Sequence, residues 1–503
     1  MEKAELINRQ QPMFLSLEEV VADECMARVI DRFIDACDLK QMKFEAVGME
    51  TTGRPAYAAA ALSRLHVYGY TNGIRSSRRL AAECERNFEV MWLTGGLRPS
   101  YKTIAEFRKH NLRPLQKMFH RFTALCRDWG LVGGELIAVD GTKIKASNNK
   151  KRCFNRGKLE ERLRSIDQQI TAYFEETERN DRLEGAAEGS EAVNRLAALQ
   201  ARKEQYEQYL RQLDESGESQ LSITDPDARL MKSQQGSVDM AYNVQSAVDA
   251  KAHIILDYDV SLNPSDHHQL SNMVRKVKKR FRLRHFAVLA DKGYYNGEDL
   301  EKVKRQGVDA IVSKQKPSDP KDQPPAFHTD RFNYDNEGDF YTCPAGKQLF
   351  SRNKKDAPRR FFFDKDACRQ CPNLRDCASG ERGYRTVSRS QYAGIYEEVD
   401  ERTRQKMDLY KLRQQIVEHP FGTVKFAMQG YYFLLRTRRK VRTEVALLFL
   451  GYNLKRAVKA LGFDAIMARL EAEKQRMKAV FTCFFQLLRF SGEFFPVEAQ
   501  MAV

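Results

Sequence analysis

Apolar positions along this chain keep three different rhythms, and each predicts a different kind of element. Before about residue 130 they recur every three to four residues, the helical period. Ser16 and Glu19 have capping-box spacing, and the pattern behind them predicts a helix reaching about Cys37. Ala58 to Tyr70 predicts a second helix. Ile74 to Leu80 opens a third with a basic first turn, and Tyr101 to His110 follows a turn carrying Gly95, Gly96 and Pro99. The second rhythm is continuous. Leu136-Ile137-Ala138-Val139 runs unbroken into Asp140 and Gly141, and Phe286-Ala287-Val288-Leu289-Ala290 runs into Asp291 in the same way. Short apolar runs between turn signals predict strands buried on both faces. The third rhythm is a heptad. Leu159, Leu163, Ile166, Ile170 and Tyr173 make one seam. Leu196, Leu199, Lys203, Tyr206, Leu210 and Leu213 make another, and the charged stretch Glu175 to Ser190 reads as a loop between them. Together they predict an antiparallel helical hairpin.

Further along, Ala241 to Asp249 and His253 to Val260 predict two strands joined as a hairpin, and Leu270 to Phe281 a basic helix. After the run into Asp291, Asn296 to Arg305 predicts a helix and Val308 to Val312 a last strand. Strand, hairpin pair, helix, strand, helix, strand is the order of a ribonuclease-H-like sheet. The expected class is therefore α/β: a ribonuclease-H-like mixed sheet with flanking helices, preceded by an all-α N-terminal domain and interrupted by a helical hairpin and a small Cys-rich insertion. The expected divisions are 1–130 for the N-terminal domain and 131–149 with 233–314 and 396–460 for the sheet domain. The hairpin takes 150–232, the Cys-rich insertion 315–395, and a helical tail 461–503.

An aspartate ending a buried strand costs free energy unless a cation or hydrogen bonds compensate it. Asp140 and Asp291 both stand so, and a third acid, Glu418, lies in the helical run Tyr410 to Lys425. Phosphodiester cleavage needs an activated oxygen nucleophile, a stabilised leaving oxygen and neutralised phosphate charge. Two divalent cations about 3.5–4 Å apart meet all three needs. Hard Mg²⁺ (or Mn²⁺) is held by carboxylates and water, without His or Cys. Asp140 on a central strand suits the bridging position, Asp291 the same sheet edge, and Glu418 the remaining shell. On the helix, Tyr410, Gln414 and Glu418 share a face and Lys425 lies two turns beyond the acid. Arg413 is displaced by about one residue from that face, yet long enough to reach a phosphate. Blander readings stand beside these. A strand-end Asp is more often a turn or cap residue, and Glu418 alone reads as a surface helix residue. Glu444 is a competing third acid without basic or aromatic framing, and Asp266 with His267 and His268 reads as a helix N-cap with exposed imidazoles.

Charge sharpens this. Lys plus Arg is 84 against 68 for Asp plus Glu, a net charge of +16, with a pI near 9.3. Such an excess favours a polyanionic partner through counterion release. Arg75, Arg78, Arg79, Lys102, Arg108 and Lys109 sit on the short helices around the Gly/Pro turn, where they fit DNA contact and a plain packing bundle equally. No 18 apolar residues run together and the first residues lack a signal-peptide core, so a membrane partner is not expected and a cytoplasmic, nucleoid-associated setting is. Ten cysteines in a reducing compartment favour metal ligation over disulfides. Cys343, Cys368, Cys371 and Cys377, spaced C-x24-C-x2-C-x5-C, suit a structural Zn²⁺ stapling a segment too small and polar to hold a core; idle or buried thiols are the other reading.

In their order and separation, these phrases resemble the DDE-type transposases of bacterial insertion sequences. The resemblance rests on Tyr68 to Leu80, Pro99 to Arg108, Val139-Asp140-Gly141-Thr142, Ala290-Asp291-Lys292-Gly293-Tyr294, Val417 to Lys425 and Tyr452-Asn453-Leu454-Lys455-Arg456. It implies that Asp140, Asp291 and Glu418 are the metal-binding triad. It implies also that Tyr410, Arg413 and Lys425 belong to the tyrosine–arginine–glutamate–lysine signature around the third acid. Four residues separate Arg413 from Glu418 where three are common in related families. The Cys-rich insertion and the hairpin look like features of a subgroup. The implied activity is binding of the element's terminal inverted repeats, metal-dependent cleavage of its ends and joining of the freed 3′-hydroxyls to double-stranded target DNA. A homodimer or larger synaptic assembly is implied with it. A nuclease that cuts without joining, and a transposase-derived DNA-binding regulator, are the alternatives.

Overall fold

The computed structural model describes residues 16–46, 56–183, 190–232, 236–314, 324–354, 357–378 and 382–490. Its organising strand is β1 (Leu136–Lys145), whose first half is buried on both faces. β1 runs antiparallel to β2 (Val238–Asp249), which in turn pairs antiparallel with β3 (Ile255–Ser261). On its other side β1 runs parallel to β4 (Ala287–Ala290), and β4 runs parallel to β5 (Asp309–Val312). The order is thus β3-β2-β1-β4-β5, with the strand Arg229–Lys232 pairing to the first residues of β2. Three antiparallel strands continued by two parallel ones make a ribonuclease-H-like sheet, as the element order predicts.

The longer helices before the sheet are α1 (Met26–Asp35), α2 (Ala59–Thr71), α3 (Ser77–Arg86), α4 (Tyr101–His110) and α5 (Leu112–Asp128), with the short helix Phe88–Thr94 between α3 and α4. The Ser16 capping box forms, but it opens only the single turn Leu17–Val20; the chain then breaks and restarts as α1, so the one long helix expected is two. These helices share one continuous apolar core with the sheet, from Ala27 through Val139, Val248 and Val288 to Leu470.

The inserted hairpin is α6 (Arg156–Leu183) and α7 (Ser190–Ser216), longer than the seams imply because helix continues through residues assigned to the loop. Residues 184–189 fall outside the described residues. Leu159, Ile166, Leu199, Tyr206 and Leu213 close its small core, and Lys203, the polar seam position, reaches Asp167 at 2.7 Å. After the hairpin come α8 (Leu270–Phe281), α9 (Gly297–Arg305), α10 (Met407–Gly422) and α11 (Arg438–Leu461). α11 is buried on most sides and lies against α5, α2 and β3.

The cysteine segment departs from expectation. Five short antiparallel strands between Asn333 and Ser390 pair in a meander, and Phe332, Tyr341, Leu349, Phe362 and Val387 give it an apolar core of its own. Cross-strand aromatic packing contributes to that core: Tyr334, Tyr341 and Phe362 meet tilted or edge to face, with ring centroids 5.0–5.9 Å apart. No helix among the described residues is long and apolar enough to cross a membrane.

Candidate active site

Two neighbouring parallel strands present one acid each at the same level. Leu136, Ile137 and Ala138 of β1 pair with Ala287, Val288 and Leu289 of β4; continuing that register by two residues sets Asp291 beside Asp140. Side chains at matched positions of adjacent strands leave the sheet on the same side. Burial first, then the nearby Asp291 and Asp266, push the Asp140 carboxyl up to about 7; Arg413 and the Gly141 N–H oppose that shift. Arg413 Nη1 stands 3.7 Å from Asp140 Oδ2, and the Gly141 N–H donates to Asp140 Oδ1 at 2.8 Å. Asp291 Oδ1 accepts the Gly293 N–H at the start of a single helical turn. Two neighbouring carboxylates, one of them held from water, suit a hard divalent cation, which takes oxygen donors and neutralises their charge.

α10 lies across this end of the sheet, packed on β1, β2 and β4. Its inward face is set by Ile416, Val417, Pro420 and Phe421, which must be buried. Arg413 shares that face and reaches Asp140. Tyr410, partly buried, lies beside it, with the guanidinium carbon 6.0 Å from the ring centroid. Past Gly422 the helix widens into a π turn, Thr423–Ala427, a distortion that recurs at functional sites. That turn carries Lys425 toward Asp140; burial lowers its ammonium pKa and the Asp140 carboxylate raises it.

Glu418 is placed differently from the expectation. It is exposed, and its Oε1 accepts from Gln414 Nε2 at 2.7 Å. Among the described residues, no group of three or more His, Cys, Asp or Glu side chains is arranged to hold a metal ion. Asp140 and Asp291 are electrostatic neighbours, and Glu418 is not among the groups that act on Asp140. The apolar residues of α10 decide this: burying Val417 and Phe421 turns the Arg413 face inward and leaves the Gln414–Glu418 face to solvent.

Asp266 is the acid that the pattern misread. The first N–H groups of α8 are not capped by it: Leu270 and Ser271 donate instead to Asp299 of α9, at 2.9 and 3.3 Å. Asp266 Oδ1 accepts from Asn243 Nδ2 at 2.8 Å and Gln245 Nε2 at 2.7 Å, and it stands over Gly141. A signal existed in the sequence. Asn243 and Gln245 are polar residues two apart on one strand, so they share a face and, once buried, need a polar partner there.

The basic residues of the N-terminal helices separate into two groups. Arg78, Arg79, Lys102 and Lys109 are exposed; Lys109 pairs with Glu106 at 3.1 Å, and Arg78 lies over the Tyr101 ring. Arg75 and Arg108 are buried, which removes them from the expected DNA-contacting set. Arg75 donates to Tyr432 O at 2.7 Å, to Glu444 Oε1 at 3.0 Å and to Gln429 O, so it bolts the α2–α3 turn to the segment that follows Lys425. Arg108 donates to the Tyr70 hydroxyl and to the Arg75 carbonyl. Glu444 is fully buried and takes further N–H groups from Leu434 and Leu435, so the competing third acid is part of the interior.

Cys343, Cys368, Cys371 and Cys377 all line one cavity of about 20 Å³, room for a single small ion or water. None is in a disulfide. Burial first, with the neighbouring thiols adding, pushes Cys377 up to about 11 and raises Cys368. The Lys347 N–H donates to Cys343 Sγ at 3.3 Å.

Residues 218–454 match the family model described as Transposase DDE domain, and residues 15–110 match Transposase domain (DUF772). Asp291 and Glu418 fall within the first match; Asp140 lies between the two. No curated protein matches the chain. Among solved structures, a cryo-EM structure of the piggyBac transposase synaptic complex with hairpin DNA aligns over 95% of this chain and 84% of that one. Its identity is 10% and its TM-score 0.31, too low to carry an argument.

Proposed function

Because this chain belongs to the DDE-type transposases, we propose that it binds the terminal inverted repeats of its own mobile element, cuts the ends and joins them to target DNA. Membership implies dependence on divalent metal; Mg²⁺ or Mn²⁺ as a pair is our reading of the donor set. The observation that carries it is the level placement of Asp140 and Asp291 on adjacent strands, with the Asp140 carboxyl pushed up to about 7 by burial despite Arg413.

In this reading Asp140 and Asp291 hold the ions and Glu418 completes the shell when DNA is bound. Bound cations would lower the pKa of an attacking water or 3′-hydroxyl and neutralise the leaving oxygen. Arg413 and Lys425, both beside Asp140, are positioned to take the non-bridging phosphate oxygens once cations satisfy the carboxylate. Arg78, Arg79, Lys102 and Lys109, with Tyr410 near the site, extend the contact along the DNA. Joining two ends to one target calls for a homodimer or larger assembly. The four thiols line one cavity but are not arranged as a metal site as they stand; structural Zn²⁺ would have to draw them together, ionising the thiols and rigidifying the meander.

The test is incubation of the purified protein with Mg²⁺ or Mn²⁺ and DNA bordering its own gene, mapping nicks and joined products. The reading expects nicks at the repeat ends and strand-transfer products, both lost in Glu418→Gln with end binding retained. Full activity of Glu418→Gln would remove that residue from the site, and metal-independent cutting would end the proposal.

A further inference from the structure

Next to the aspartate pair lies a buried network of amides whose only charged member is Asp266. Asn243 and Gln245 are 1% and 0% exposed, and both donate to Asp266 Oδ1. Gln245 Nε2 also donates to Asn243 Oδ1 at 3.1 Å, and its Oε1 accepts from the fully buried Tyr294 hydroxyl. Tyr294 lies three residues past Asp291, and Gly141 directly follows Asp140. The network therefore links the backbones that carry both acids.

The contact with Gly141 is close. A Cβ there would stand 2.3 Å from Gln245 Nε2 and 2.5 Å from Asp266 Oδ1. Gly293, on the other acid's turn, has Asp266 Oδ2 3.6 Å from the corresponding point. Asp266 is thus wedged between the residues that follow each aspartate. Its own loop has no need of it as a helix cap, since Asp299 does that work.

Resting on the active-site reading above, we propose that Asp266 is a positioning residue for the aspartate pair: anchored by Asn243 and Gln245, it fixes the separation of the Asp140 and Asp291 carboxylates and so sets their affinity for divalent cation. Oxygen Oδ1 does the anchoring. An asparagine offers the same oxygen, whereas an alanine leaves two buried amides without an acceptor and the wedge empty. Partners one shell out from a metal commonly change affinity or activity by about 10–100-fold.

The experiment measures Mn²⁺ binding directly, by loss of the free-ion EPR signal, on full-length wild type, Asp266→Ala, Asp266→Asn and Gly141→Ala. Nicking of end DNA is followed in parallel. Asp266→Ala is expected to weaken Mn²⁺ binding about tenfold or more, Asp266→Asn to stay within about threefold of wild type, and Gly141→Ala to resemble Asp266→Ala by pushing the wedge aside. Gly141→Ala keeps every carboxylate, so it tests positioning even if Asp266→Ala folds poorly. Wild-type Mn²⁺ binding in either of those two variants, or a defect in Asp266→Asn equal to that of Asp266→Ala, would overturn the proposal. Asp140→Asn separates the two levels of argument. If it binds Mn²⁺ and nicks normally, the active-site reading itself fails; if it does neither while Asp266→Ala is normal, only this inference does.

Discussion

Asp140 and Glu444 are both carboxylates withdrawn from water, and each faces an arginine, yet they are finished differently. Glu444 is fully buried and meets Arg75 at 3.0 Å, two backbone N–H groups, and the field of Arg108. Asp140 keeps 23% of its side chain exposed, meets Arg413 only at 3.7 Å, and has two more carboxylates for neighbours. A buried charge with its oxygens satisfied holds a fold together; one left open and repelled is poised for a ligand. The comparison explains why Arg75 and Glu444, near in kind to the site residues, belong to the interior.

The largest test is catalytic. Asp140→Asn or Asp291→Asn should lower metal-dependent nicking by about 10³-fold or more, several kcal/mol of transition-state stabilisation, with end binding kept in a mobility-shift assay. A nicking-competent Asp140→Asn would place the pair on the structural side of the comparison. Next in size is Glu444→Ala, which strands Arg75 in the interior and should cost about 3–5 kcal/mol in urea denaturation. Stability within experimental error of wild type would contradict the finished-pair reading.

The cysteine cavity lies between these extremes: its four thiols are partly buried and crowd one another around one small space. Denaturing the protein in a colorimetric zinc assay should release about one equivalent of Zn²⁺. Cys371→Ser should lose that metal and make residues 333–390 sensitive to limited proteolysis. An unmetallated lobe that resists protease would favour plain buried thiols.

The smallest effect is on stability without metal. In the fold the Asp140 carboxyl rises from its ordinary 3.8 to about 7, so the folded chain keeps a proton that the unfolded chain has lost between those values. Its contribution to stability therefore falls as pH climbs through that window. Asp140→Asn escapes the loss. Its metal-free melting temperature should exceed wild type at pH 8, by roughly 2 °C for each kcal/mol relieved, with the gap closing toward pH 4. A gap that widened on acidification would reverse the sign assigned to Asp140.

What the order of residues determined alone was periodic or local. Continuous apolar runs specified β1 and β4, heptads specified α6 and α7, and both runs led into the acids that the fold sets side by side, although β1 continues five residues past Asp140. Those features follow from a strand's or helix's own period, which needs no partner to be read. Tertiary packing decided the rest. The burial demand of Val417 and Phe421 chose which face of α10 meets the sheet, bringing Arg413 in and leaving Glu418 out. Capping of α8 by Asp299 released Asp266, and burial of Glu444 drew Arg75 inside. Each is a choice between residues of like chemistry, made by partners tens to hundreds of positions away, and spacing along the chain carries no record of such partners.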